Sequence, residues 1–147
     1  MRETDKWMVD ELERVYNEPH RMLREIVSPE QWDAIQRHKG FRPPTDVYET
    51  TTHAVVRVEI AGVKREDLEV SFANRVLTVV GRRHDPAEKL AYQQMEIAYG
   101  GFRTDVLIPW PVEKEGIEAI YEDGFLVVLL SKKSSVHKVS VGNEEGR

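Results

Sequence analysis

The stretch that decides the fold is Ala119-Ile120-Tyr121-Glu122-Asp123-Gly124-Phe125-Leu126, which continues into further apolar residues. Ile117, Ala119 and Tyr121 stand at alternate positions, so their side chains share one face of an extended strand. Asp123-Gly124 is a strong signal for a two-residue turn between antiparallel strands. The apolar run after this turn is typical of a central strand covered on both sides, or nearly so. The stretch therefore predicts a β-hairpin whose second strand lies inside a sheet.

Alternating apolar residues on the N-terminal side of this hairpin predict further short strands. Asn74 lies between two such patterns and suits a tight turn, because asparagine tolerates the left-handed backbone conformation. Seven or so short strands in residues 43–133, with closely spaced turns and no alternation of strands with helices, indicate an antiparallel, immunoglobulin-like β-sandwich. The alternating sets are Val56, Val58 and Ile60; Leu68, Val70 and Phe72; and Phe102, Thr104, Val106 and Ile108.

Segments of different character flank the predicted sandwich. Residues 1–42 carry apolar stripes at helical spacing, which predicts a helical N-terminal arm. Ser28-Pro29-Glu30-Gln31 predicts the start of a helix that contains Trp32, because Ser28 can cap it and Gln31 can reach back. Residues 134–147 are polar and contain glycine, which predicts a flexible C-terminal extension. Val139 and Val141 stand out there as apolar residues.

Composition excludes several classes of protein. The 147 residues fit one domain with flanking segments. The net charge of −5, from 21 basic and 26 acidic side chains, argues against a nucleic-acid partner. With no cysteine, disulfides and zinc–thiolate sites are excluded. No apolar run is long enough to span a membrane and the N-terminus lacks a signal core, so we expect a cytoplasmic protein.

The sequence shows no arrangement of residues that predicts catalysis. It contains no phosphate-binding glycine loop and no nucleophile elbow. The histidines lack the spacing of a metal site, and we interpret them as surface residues: His20, His38, His53, His84 and His137. We therefore expect no enzyme activity, no cofactor, and no catalytic or metal-binding residue.

Four motifs in a fixed order resemble the small heat-shock protein family, which is defined by its α-crystallin domain. The hairpin matches the family pattern A-x-x-x-x-G-x-L through Ala119, Gly124 and Leu126. The resemblance covers roughly residues 43–133 and the C-terminal extension. The other motifs are Pro44-Thr45-Asp46-Val47-Tyr48-Glu49, Ile60-Ala61-Gly62-Val63 with Glu66-Asp67-Leu68, and Leu77-Thr78-Val79-Val80-Gly81-Arg82-Arg83.

The resemblance implies a self-assembling holdase that binds partly unfolded client proteins without ATP. Such proteins form dimers through the β domain and larger assemblies through the C-terminal extension. Lys138-Val139-Ser140-Val141 resembles the family's I-x-I tail motif in a valine version, with Val139 and Val141 as the docking side chains. By the same resemblance, the accepting groove lies between two edge strands of a neighbouring subunit and comprises Leu68, Val70, Phe72, Ile117, Ala119 and Tyr121.

The resemblance also assigns roles to the arm and to one loop. The arm would contact clients through Trp7, Met8, Leu12, Met22, Leu23 and Trp32, or these residues would pack on their own domain or on another arm. The dimer loop would use Leu90, Tyr92 and Met95, but residues 84–91 are short for a strand that exchanges between subunits. Thr104 also stands where many relatives have arginine. A monomeric, co-chaperone-like adaptor on the same sandwich stays open as an alternative function.

Overall fold

The computed structural model describes residues 25–37, 40–134 and 139–143. Within these ranges, an α-helix, α1, spans Pro29–Arg37, and a short 3₁₀ turn spans Arg65–Asp67. The strands make up most of the regular structure in the part of the chain that is described. They are β1 (Thr45–Glu49), β2 (His53–Glu59), β3 (Leu68–Ala73), β4 (Val76–Arg83), β5 (Gly100–Leu107), β6 (Val112–Glu122) and β7 (Phe125–Lys132).

The strands form two sheets, with the orders β1-β2-β7-β6 and β3-β4-β5. All neighbouring strands within the sheets are antiparallel, so the predicted antiparallel sandwich is confirmed. Strand β7 is central in its sheet, as its apolar run predicts. Its residues alternate, however, between buried and half-buried positions rather than being buried throughout. One core fills the space between the sheets and includes Val56, Val58, Leu77, Val79, Phe102, Val128 and Leu130.

Two tight turns join consecutive strands at the positions that the sequence predicts. Asn74 and Arg75 have φ angles of 51° and 67°, and Asp123 and Gly124 have φ angles of 51° and 81°. Positive φ at both central residues is the conformation of a type I′ turn, whose twist matches that of the flanking strands. These turns fix the register of β3 with β4 and of β6 with β7.

Helix α1 begins with the predicted capping box. The Gln31 backbone N–H donates to Ser28 Oγ at 3.2 Å, and the Ser28 N–H donates to Gln31 Oε1 at 3.2 Å. Val27 and Trp32 pack against Val76 and Leu107 on the three-stranded sheet. Of the predicted client-binding residues, Trp32 is thus half-buried on its own domain. The others, Trp7, Met8, Leu12, Met22 and Leu23, lie outside the described residues.

The segment before β1 lies against the outer edge of β5. The Phe41 N–H donates to the Gly101 carbonyl at 3.1 Å, and the Arg103 N–H donates to the Phe41 carbonyl at 3.1 Å. Thr104, beside this bridge, is fully buried and contacts the Thr45 hydroxyl at 3.0 Å. A hydroxyl therefore sits inside the sandwich at the position where the resemblance led us to expect arginine.

Candidate functional site

The edge strands β3 and β6 border an apolar groove of about 430 Å³. Among the described strands, neither β3 nor β6 has a second neighbour in its sheet. Each strand therefore keeps one side on which backbone N–H and C=O groups can pair with an added strand. The groove is lined by Arg65, Leu68, Val70, Ala119, Ile120, Tyr121 and Leu126.

The groove walls are held in place by the core below them. Leu68, Val70 and Tyr121 are half-buried and pack on the main core, while Leu126 belongs to the core itself. The Tyr121 hydroxyl donates to the Ile60 carbonyl at 3.0 Å, which fixes the ring and satisfies a polar group at the edge of the core. The apolar surface is thus largely preformed.

One cationic side chain lies at the groove. The Arg65 guanidinium donates through Nη2 to the Tyr121 carbonyl at 3.3 Å. This contact joins the 3₁₀ turn before β3 to β6 on the opposite sheet, so it links the two walls. A guanidinium keeps further N–H donors for other acceptors, so Arg65 can also donate to the backbone of a bound segment.

The structure brings together four of the six groove residues named from the sequence: Leu68, Val70, Ala119 and Tyr121. Phe72 instead lines a second pocket at the other end of β3, and Ile117 packs on the core without lining the groove. The sequence reasoning missed Arg65, Ile120 and Leu126 as lining residues. Leu126 carried a signal, since it belongs to the hairpin motif, whereas Arg65 carried none.

The glycine of the hairpin motif is explained by its contacts. A methyl group at Gly124 would lie 3.0 Å from the Ala61 Cβ, and the positive φ of this residue disfavours any larger side chain. The Ile60 N–H donates to the Gly124 carbonyl at 2.8 Å. The hairpin turn thus lies directly against the end of β2, close to the Tyr121 hydroxyl that binds Ile60.

The two valines of the C-terminal extension are strongly exposed. Val139 is 83% exposed and Val141 is 91% exposed, in a segment without regular secondary structure. Side chains two residues apart point to the same side of an extended segment. In that conformation, both valines face one partner surface.

The connection between β4 and β5 exposes a second set of apolar side chains. Leu90, Tyr92 and Met95, named above for a dimer loop, are exposed, and Ile97 is exposed with them. Residues 84–99, all of which the structure describes, contain no strand. Strand β1, at the edge of its sheet, exposes Val47 in the same way.

A polar cluster organises the start of this loop. Asp85 accepts hydrogen bonds from the Lys89 ammonium and, at 2.6 Å, from the Tyr92 hydroxyl. The hydrogen bond from Lys89, followed by that from Tyr92, lowers the pKa of the Asp85 carboxyl to about 2. The same bond to Asp85 raises the pKa of Lys89. The carboxylate is therefore ionised throughout the neutral range.

Arg83 holds the far end of the loop on the sandwich. Its Nε and Nη2 atoms donate to the Ala98 carbonyl at 2.8 and 2.6 Å. Its guanidinium also lies 5.0 Å from the ring centre of Phe41 and 5.6 Å from that of Tyr99. The loop is thus connected to the segment that precedes β1.

Within the described ranges, no group of three or more histidine or acidic side chains is arranged to hold a metal ion. In the same ranges, no helix has the length and apolar character needed to cross a membrane.

Comparison with known proteins agrees with this geometry. The chain is 29% identical over 97 residues to small heat shock protein C2 of Rickettsia felis, covering 65% of this chain and 63% of that relative. It is 34% identical over 97 residues to heat shock protein HSP.16.4 of Streptococcus thermophilus, covering 62% of this chain and 66% of that relative. The matches thus span slightly less than two thirds of these curated relatives.

A solved structure and a family model extend the comparison. The fold is similar to HSP18.5 from E. histolytica, with a TM-score of 0.61, 31% identity, and coverage of 69% of this chain and 97% of that one. The model of the Hsp20/alpha crystallin family matches residues 46–143, which include the sandwich from the second residue of β1 onward, the groove and both exposed valines. By its sequence and its fold, the chain belongs to the Hsp20/alpha crystallin family.

Proposed function

We propose that this protein is an ATP-independent holdase that binds partly unfolded proteins and keeps them from aggregating. The observation that carries the proposal is the family match over residues 46–143, which spans a preformed apolar groove and an exposed V-x-V segment. Holding a client requires binding surface and no chemical step. The absence of any predicted nucleotide motif in the sequence is consistent with such a role.

Assembly through the extension is the next step of the proposal. Val139 and Val141 enter the groove of a neighbouring subunit, while the backbone between them pairs with an edge strand. Burying each valine contributes roughly 1.5–2 kcal/mol before the cost of ordering the segment. A single contact is therefore weak and reversible, whereas many contacts in a closed particle hold it together.

The dimer would form through the loop and the edge of β1. Leu90, Tyr92 and Met95 are exposed side chains with apolar surface. Strand β1 offers unpaired backbone groups on its outer side. A loop that adds to β1 of a partner would bury both surfaces. The role of the arm residues Trp7, Met8, Leu12, Met22 and Leu23 in client binding stays a prediction, as does the cytoplasmic location.

The holdase activity is tested by light scattering of a heated, aggregation-prone client without ATP. We expect clear suppression when the protein is equimolar to the client. An equal mass of an unrelated, heat-stable protein is the control for crowding. Unchanged scattering at equimolar protein would contradict the holdase proposal, whatever the state of assembly.

The tail contact is tested separately by size-exclusion chromatography with multi-angle light scattering. We expect Val139→Ala with Val141→Ala to shift the protein toward dimers, because two methyl-bearing contacts are lost in every subunit. Ala119→Glu should cause the same shift from the groove side, since it places a carboxylate on an apolar wall. Ser71→Glu, on the exposed face of β3, is the matched control. A parent protein that elutes as a monomer would favour the adaptor alternative.

A further inference from the structure

A second pocket, distinct from the groove, lies at the opposite end of β6. It has a volume of about 520 Å³ and is formed where the β3–β4 turn, the β5–β6 connection and the end of β7 meet. Its apolar part is Phe72 and Trp110, both half-buried, with Pro109 and Pro111 beside them. Residues 109–112 hold this shape through the Lys133 N–H, which donates to the Pro111 carbonyl at 2.9 Å.

The charged side chains that line this pocket are all basic. Arg75, Lys114 and Lys133 line it, and no carboxylate does, although the whole chain has a net charge of −5. Arg75 donates to the Pro109 carbonyl at 3.0 Å, which holds its guanidinium at the rim. Among the described residues, no carboxylate forms an ion pair with Lys114 or Lys133. A cationic rim around aromatic side chains fits a segment that is both acidic and apolar.

The arm of the same chain contains such a segment. Residues 5–13, Asp5-Lys6-Trp7-Met8-Val9-Asp10-Glu11-Leu12-Glu13, carry four acidic side chains and one basic one, and therefore a net charge of −3. They also supply large apolar side chains in Trp7, Met8 and Leu12. The last six residues, 142–147, contain two acids and one arginine but no large apolar side chain, so they fit the pocket less well.

The first described residues of the chain lie beside strands that lead into this pocket. Val27 packs against Val76 and Leu107. Val76 follows the rim residue Arg75 directly, and Leu107 precedes Pro109 by two positions. Residues 13 and 25 are separated by 12 positions, which an extended chain spans over about 40 Å. The acidic segment can therefore reach the pocket of its own subunit.

From this placement we propose that the pocket at Trp110 binds residues 5–13 of the same chain. The apolar side chains of the segment enter between Phe72 and Trp110, and its carboxylates face Arg75, Lys114 and Lys133. The contact is independent of the groove and of holdase activity. It withdraws Trp7 and Met8 from other partners while it is formed, and salt weakens it because its ion pairs lie at the surface.

The absence of native cysteine allows a direct test in the full chain. Met8→Cys is combined with Ala73→Cys, which lies at the pocket. The control combines Met8→Cys with Glu122→Cys, which is exposed at the other end of β6, about 30 Å away. We expect the intramolecular disulfide of the first pair to form at least fivefold faster under mild oxidation, as followed by non-reducing gels and mass spectrometry.

Charge-reversal variants and high salt test whether ion pairs cause any difference between the two rates. Adding Lys114→Glu and Lys133→Glu to the first pair should lower its rate to that of the control pair, and 1 M NaCl should do so without any further mutation. Equal rates for the two pairs would overturn the proposal, as would a fast rate that neither change reduces. A fast disulfide that joins two chains, detected by mixing isotopically labelled and unlabelled protein, would assign the pocket to a second copy and overturn docking within one chain.

Discussion

The groove and the loop of residues 84–99 both expose apolar side chains, but they do so on different kinds of backbone. The groove side chains stand on β3 and β6, whose backbones are hydrogen-bonded to β4 and β7. The loop side chains stand on a segment without strands, and Leu90 is fully exposed. One surface is therefore set by the core, while the other depends on a few local contacts.

The difference predicts how each surface binds. A preformed groove orders little on binding, so most of the apolar burial contributes to affinity. A loop must order its backbone at a cost of about 1–2 kcal/mol per residue, so it needs more contacts for the same result. We expect the groove to serve small, repeated contacts and the loop to serve one large interface. Changes to either backbone should separate these behaviours.

The largest expected effect comes from adding a methyl group at Gly81 of β4, the strand that pairs with the groove strand β3. Gly81 pairs with Leu68, and a methyl group there would lie 2.4 Å from the Asp67 carbonyl oxygen and 2.4 Å from Phe102 Cζ. We expect Gly81→Ala to lower the free energy of unfolding by about 3 kcal/mol. Thermal unfolding should then show a Tm lower by about 6–12 °C.

The control for this variant is Gly142→Ala, because a methyl group there meets nothing within 4 Å. It should leave the Tm unchanged. If Gly81→Ala also left the Tm within about 2 °C of the parent, the groove strand would be more adaptable than its contacts indicate. The contrast between groove and loop would then lose its basis.

The strands and turns that build the groove could be predicted from the sequence, because they follow periodic patterns of apolar and turn residues. Alternation at Leu68 and Val70 assigns both to one face of β3, and Asp123-Gly124 sets the register of β6 with β7. The capping box at Ser28 is equally local, and the structure shows both of its hydrogen bonds. These features depend on residues a few positions apart, which one sequence displays directly.

The extent of the groove could not be predicted in the same way. Phe72 and Ile117 share the strand faces of the lining residues, but the groove includes only part of each strand. The packing of the core determines where the two sheets move apart. No local sequence pattern predicts that position. Arg65 reaches Tyr121 across 56 positions of sequence. The bridge between Phe41 and Phe102 of β5 is another contact between residues far apart in the sequence.

A smaller effect is expected where the loop joins the sandwich. Arg83→Lys keeps the charge but loses the planar group that donates twice to the Ala98 carbonyl and lies beside Phe41 and Tyr99. We expect the contacts that hold the loop on the sandwich to become weaker by about 1–2 kcal/mol. Hydrogen exchange should speed up in residues 84–99 more than in β3 or β6. Arg82→Lys is the matched control, since the adjacent Arg82 is exposed; equal exchange in the two variants would exclude Arg83 as the link.

The smallest effect is expected at Asp85, where only the loop should respond. Because the pKa of Asp85 is lowered to about 2, its hydrogen bonds with Lys89 and Tyr92 are fully present above about pH 4. They are lost as the pH falls through about 2, when the carboxylate gains a proton. Asp85→Asn should weaken them wherever the parent carboxylate is ionised, that is, above about pH 2. At pH 7 we expect trypsin to cleave after Lys89 roughly two- to fivefold faster, with the Tm unchanged.

Glu88→Gln removes a neighbouring charge from the same loop and should not change the cleavage rate, which makes it the control for net charge. A lower Tm for Asp85→Asn would show that the loop is coupled to the core and would weaken the contrast drawn above. An unchanged cleavage rate would show that the Asp85 cluster does not order the loop. Faster cleavage at a constant Tm would show that the Asp85 contacts order the loop without stabilising the sandwich. This combination is expected because the Asp85 cluster includes no core residue.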